Sequence, residues 1–152
     1  MVPVVIPVRL SEYRLRRRVQ FYEVDSAGIV HFSWFFRYME EAEHALWRQA
    51  GLSIAQRGAA VGFPRVSVGC EYHQPLRLEE EFDVTVRVEA ITGKAIRYAC
   101  LVTRGETRIA TGTLTVVCVS RDADGAMKAV DIPTEIASRF EVAADIGTAV
   151  EG

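Results

Sequence analysis

Only three cysteines and three histidines occur in this chain, and none of them falls at metal-ligand spacing. Cys70, Cys100 and Cys118 are odd in number and far apart. That argues against a disulfide framework or a zinc site and points to buried thiols in a reducing compartment. Charge of one sign is also scarce. A formal net charge of −2 on 152 residues removes the footprint of a general nucleic-acid binder. Long apolar runs are missing, since no stretch approaches the ~18 consecutive apolar residues of a membrane helix. The apolar opening 1–8 carries Pro3 and Pro7 and is followed by Arg9 and Arg14, the reverse of a signal peptide's order. A frayed or edge-packed terminus and a cytoplasmic location are the expectations.

What is present is a core-building composition, 49% hydrophobic and 25% charged, which suits one folded domain. Residues 1–152 read as a single domain with its core at about 13–120 and a tail at 121–152. Tyr13, Leu15, Arg17, Val19 and Phe21 alternate with more polar neighbours, as a strand does. Phe35, Met39, Ala42, Leu46 and Ala50 recur at three- and four-residue spacing, predicting an amphipathic helix with Ser33 as its N-cap and Gly51 as its stop. Strands are predicted at 61–72, 82–91, 95–103 and 107–119, separated by turn chemistry at Thr92-Gly93, Arg104-Gly105 and 122–125. A short helical tail follows Pro133, and 141–152 reads as loose. One strand, one long helix and a series of antiparallel strands make an α+β domain whose sheet must bury that helix.

Asp25 stands between the first strand and the helix, in Asp25-Ser26-Ala27-Gly28-Ile29-Val30. A carboxylate is ionised at neutral pH and serves as nucleophile or base without tuning. Helix-start amides beside it can polarise a carbonyl oxygen. An Asp at a strand end also serves simply as a turn-former, and Gly28 as a turn glycine.

This segment resembles the signature of the hotdog-fold acyl-CoA thioesterases of the 4-hydroxybenzoyl-CoA thioesterase class. Tyr38-Met39-Glu40-Glu41-Ala42 is similar to the family's helix, and Tyr72-His73-Gln74-Pro75 to its Tyr-x-x-Pro strand end, with Glu80 at an acidic position. The resemblance covers about residues 14–120. It implies a hotdog fold, an antiparallel sheet wrapped around one long central helix, with subunits paired through their sheets into a homodimer or homotetramer. It further implies an acyl-CoA substrate, hydrolysed to free acid and CoA with no metal and no other cofactor. Two positions depart from the pattern. Phe32 stands where Tyr or His is usual, so only its backbone N–H can donate. Glu79 stands where Gly is expected before Glu80.

On this resemblance Asp25 is the catalytic carboxylate, Gly28 shapes its turn, the Phe32 amide is the oxyanion donor, and His31 lines the pocket or meets the substrate. Trp34, with its aromatic neighbours Phe35 and Phe36, is a candidate wall for the acyl group or plain core. Glu40 is a second carboxylate near substrate or a partner in a buried pair. Lys94 and Arg97 are candidates for the CoA phosphates. His44 and His73 read as solvated or structural, and Arg16-Arg17-Arg18 as a solvated strand face. Ser67 lacks a nucleophile-elbow context. An acyl carrier protein in place of CoA, and a non-catalytic acyl-CoA-binding domain, are the alternatives.

Overall fold

The computed structural model describes residues 8–121 and 125–144. The expected loose ends at 1–7 and 145–152, and most of the 122–125 turn, lie outside these. In chain order come β1 (Glu12–Arg18), a 3₁₀ turn (Phe21–Glu23) and α1 (Trp34–Gln49). Then follow β2 (Val61–Gly62), β3 (Arg65–Tyr72), β4 (Glu81–Ile91), β5 (Ala95–Arg104) and β6 (Thr107–Val117). The described chain closes with β7 (Val119–Arg121), β8 (Met127–Ala129) and α2 (Thr134–Ala137).

Five strands pair antiparallel in the order β1-β4-β5-β6-β3, and β2-β7-β8 form a second, smaller sheet. Period-2 alternation sends Phe82, Val84, Val86 and Val88 of β4, and Ile96, Tyr98, Cys100 and Val102 of β5, to one face. There they form one cluster with Phe35, Met39, Ala42 and Leu46 of α1, four of the predicted core positions of the helix. Each large apolar side chain so buried contributes about 1.5–3 kcal/mol. Helix and sheet approach closely at Gly112. A Cβ there would lie 2.9 Å from the Gly69 carbonyl oxygen and collide with the Met39 sulfur.

Several expectations need correction. The strand expected over 61–72 is two, because Pro64 has no N–H to give a ladder and only its carbonyl is used, by Val117 N–H (3.2 Å). The strand over 107–119 breaks at Cys118, whose N–H turns to the Lys94 carbonyl (2.7 Å) as the chain passes to the small sheet. Residues 141–144 are tied down, not loose. Glu141 N–H donates to Leu10 O (3.0 Å), Ala143 N–H to Val88 O (2.8 Å), and Arg87 holds the Ala144 carbonyl (2.8 Å). Arg17 is only 16% exposed in its side chain and is no part of a solvated face.

Candidate active site

β1 runs out at Val19, whose N–H and C=O are both taken by the 79–80 turn (Glu80 O at 3.0 Å, Glu79 N–H at 3.1 Å). Glu79 holds φ at 68°. The backbone therefore keeps the left-handed conformation of the glycine expected there, with a side chain that disfavours it.

From Val19 the chain enters the 3₁₀ turn and buries Glu23 completely. That carboxylate accepts from Gln20 N–H (2.8 Å), the Tyr38 hydroxyl of α1 (3.0 Å) and Arg17 of β1 (2.9 Å). Arg17 also reaches Glu41 (2.7 Å) and lies 4.7 Å above the Tyr38 ring. Burial, then the Glu23 charge, raises the Tyr38 pKa, so the phenol stays a donor. Burial likewise pushes the Glu41 carboxyl up, with Arg17 opposing. One carboxylate thus joins β1, the turn and α1 at the root of the Asp25 loop. Sequence reasoning missed it, although an acidic residue two places before Asp25 with an arginine six places before Glu23 was a visible signal.

The loop itself is a three-residue hairpin. Val24 bridges Val30, Asp25 N–H donates to Ile29 O (2.8 Å), and Gly28 N–H to Asp25 O (2.9 Å). Gly28 sits at φ +80°, and a Cβ there would meet nothing within 4 Å. The glycine serves the backbone angle, as such loops require. Asp25 Oδ1 accepts from Ala27 N–H (2.8 Å), while Oδ2 has no hydrogen-bond partner among the described residues. Val30 N–H donates to Leu76 O (2.8 Å), which straps the loop to the segment after β3.

A cleft of about 480 Å³ opens between these pieces. Asp25, Ile29, Val30 and Phe32 form one wall, Phe35 of α1 the floor, and residues 72–76 the other wall. Apart from Asp25, His73 and Gln74 its lining is apolar or aromatic, as small-molecule clefts generally are.

At the helix start Ser33 takes the expected position but not the expected role. Its hydroxyl makes no cap and meets His31 Nδ1 at 2.7 Å. Ser33 N–H also donates to Nδ1 (3.3 Å). A backbone N–H only donates, so Nδ1 accepts, and neutral His31 carries its proton on Nε2. His31 N–H donates to Glu23 O (2.9 Å). The Phe32 N–H has no acceptor among the described residues, whereas its carbonyl accepts from the Tyr72 hydroxyl (2.8 Å).

Of the predicted site residues, the cleft gathers Asp25 and Phe32, with Gly28 in the connecting loop. His31 adjoins them, its ring 4.3 Å from that of Phe32. The other four do not line the cleft of their own chain. Trp34 packs beside Tyr22 and Tyr38 (centroids at 5.5 and 6.4 Å). Glu40 pairs with Arg37 (3.3 Å) and Arg65 (3.4 Å), Lys94 with Asp131 (2.9 Å), and Arg97 with Glu89 (3.3 Å). Among the described residues no three His, Cys, Asp or Glu side chains converge to hold a metal ion, and no helix is long and apolar enough to cross a membrane.

A hairpin-loop carboxylate and the helix-start residue Phe32, on one wall of an apolar cleft in a sheet-wrapped helix, suit acyl transfer, and the protein is by class a hotdog-fold thioester hydrolase. The chain belongs to the Thioesterase-like superfamily, whose profile matches residues 19–140. A protein of Aquifex aeolicus (strain VF5) named "Putative esterase" is 33% identical over 122 residues, 80% of this chain and 91% of that protein. The crystal structure of a hypothetical protein from Aquifex aeolicus superposes with a TM-score of 0.79 at 30% identity, covering 85% of this chain and 99% of the other. A 1,4-dihydroxy-2-naphthoyl-CoA thioesterase from Synechocystis shares the fold, with a TM-score of 0.78 at 16% identity over 85% and 95% of the two chains.

Proposed function

We propose that this protein hydrolyses an acyl-CoA thioester to the free acid and CoA, as enzymes of the 4-hydroxybenzoyl-CoA thioesterase class do. The reading is carried by Asp25 Oδ2 and the Phe32 N–H, both without a hydrogen-bond partner among the described residues and both on one wall of the same cleft. Asp25 attacks the carbonyl carbon, the C–S bond breaks, CoA leaves as thiolate, and water opens the acyl anhydride. Alternatively Asp25 takes a proton from a water that adds directly. Either route puts negative charge on the carbonyl oxygen, where one preorganised N–H donor contributes about 2.7–4 kcal/mol. Neither route requires a metal or a redox cofactor.

We further propose that the working unit is a homodimer paired through β3. The β1 edge is guarded by Arg14, Arg16 and Arg18, paired with Asp83 (3.3 Å) and Glu81 (3.1 and 2.7 Å). The middle of β3, residues 66–70, carries no charged side chain. Val68 stands opposite the buried Leu114, on the same face of the sheet, yet is 49% exposed, and Val66 is 59% exposed. This apolar strip, left uncovered by α1, fits a second copy of the chain. Lys94 and Arg97, already paired within their own chain, reach CoA on this reading only in the assembled enzyme. Three free cysteines suit a reducing, cytoplasmic setting.

Thiol release measured across short, branched, long and aryl acyl-CoAs tests the activity, and light scattering tests the dimer. Release from at least one acyl-CoA supports the reading. Inactivity on every acyl-CoA, with turnover of an acyl-carrier-protein thioester, replaces CoA by the carrier. Binding without turnover of either makes this a non-catalytic domain.

A further inference from the structure

We propose that Tyr72 is a positioning residue for this hydrolysis, its hydroxyl holding the Phe32 carbonyl and so fixing, through the Phe32 Cα, the adjoining peptide that carries the oxyanion-donating N–H. The proposal rests on the reading of the cleft as the hydrolytic site. Phe32 begins an exposed turn, being itself 62% exposed, with no side-chain cap from Ser33 behind it. Among the described residues, the hydrogen bonds that hold that turn from elsewhere in the chain are His31 N–H to Glu23 O and the Tyr72 hydroxyl to Phe32 O. The first sits on the loop side. The second comes from across the cleft.

Tyr72 is 46% exposed, yet it is fixed at two points. Its backbone is in register with Ala110 at the end of β3, and its ring meets Phe35 edge-on at 5.1 Å and 87°. Strand, helix and loop are therefore joined at one side chain. Burial, with Cys70 beside it, pushes the Tyr72 pKa up to about 12, so the hydroxyl remains a donor at any working pH. A donor aimed to within a few tenths of an ångström stabilises a developing oxyanion, and a loosened one loses that gain at little cost to substrate binding. The competing view is that Tyr72 only lines the cleft and that its hydroxyl bond is incidental.

Tyr72→Phe separates the two, because it keeps the ring and removes only the bond. The expected result is a kcat lowered about tenfold, a KM within twofold of wild type and a melting temperature within 2 °C. Amide exchange at His31 and Trp34 should quicken about tenfold, since their bonds to Glu23 O and His31 O hold the same turn. A kcat within twofold of wild type overturns the proposal, as does a raised KM with kcat intact, which would make Tyr72 a direct binding group. If the wild-type protein releases thiol from no acyl-CoA, the hydrolytic reading falls by itself. The tether is then judged by exchange alone, and unchanged rates at His31 and Trp34 overturn it.

Discussion

Replacing Glu23 by alanine should be among the most damaging single changes near the cleft. The carboxylate is 0% exposed and has three donors within 3.0 Å: Gln20 N–H, the Tyr38 hydroxyl and Arg17. Its loss leaves the Tyr38 hydroxyl buried without an acceptor and Arg17, 16% exposed, with Glu41 as its remaining carboxylate. Breaking one side of a buried ion pair costs about 3–5 kcal/mol, a large part of the ~5–15 kcal/mol that holds a domain together. At ~2–4 °C per kcal/mol for a chain of this size, the melting temperature should fall by about 6–20 °C. Glu23→Gln keeps the volume and one acceptor oxygen, so it should cost less, on the order of 1–3 kcal/mol. The assay is urea and thermal unfolding at matched protein concentration, because the proposed dimer would make the transition depend on concentration. A Glu23→Ala protein within 1 kcal/mol of wild type would refute the view that this carboxylate ties β1, the turn and α1 together.

Two further changes are expected to act in the opposite direction or on a different axis. Glu79→Gly should stabilise by up to about 1 kcal/mol, since it removes the left-handed penalty at φ 68° against a smaller entropic loss; a lower urea midpoint would contradict this. His44 has its pKa lowered by burial, with Arg65 and Arg48 adding to the effect and Glu40 opposing it. The folded form then binds the proton less well than the unfolded chain. Stability is full above the ordinary histidine value and is lost as pH falls through the folded one. His44→Gln should flatten the acid side of the stability profile between pH 7 and 5, and an unchanged profile would contradict that reading.

What the sequence revealed is what local periodicity encodes. The i, i+3, i+4 pattern at Phe35, Met39, Ala42 and Leu46 was enough to orient α1, because one helix face must be buried whatever it meets. Alternation placed β4 and β5 equally well. The Asp25–Gly28 turn was legible because the left-handed angle at Gly28 is a local demand. Burial of Glu43 was not legible, since it depends on Arg65 brought from another element, and burial of Glu23 left in the sequence only the signal of Arg17 six places before it. Arg17 fell in the inward set of β1 by alternation, but its charge hid that until its partners were known. The same limit applies to the cleft. Tyr72 shows as a motif residue in the sequence, yet only the pairing of β3 with β6 brings it to Phe32. Trp34, Glu40, Lys94 and Arg97 were chosen by residue type and place in the sequence, and their contacts come both from the same element, as Arg37 to Glu40, and from others, as Asp131 to Lys94.

The catalytic role of Asp25 is tested most directly by Asp25→Asn, assayed by thiol release with the best acyl-CoA found for wild type. The change keeps the shape of the side chain and the oxygen that accepts from Ala27 N–H, so the loop should stand. It removes the charge that, on the proposed mechanism, attacks or takes a proton. The expected result is a kcat lowered by about 10²–10⁴-fold with melting temperature and KM close to wild type. An Asp25→Asn protein that folds normally and turns over within threefold of wild type would contradict that role.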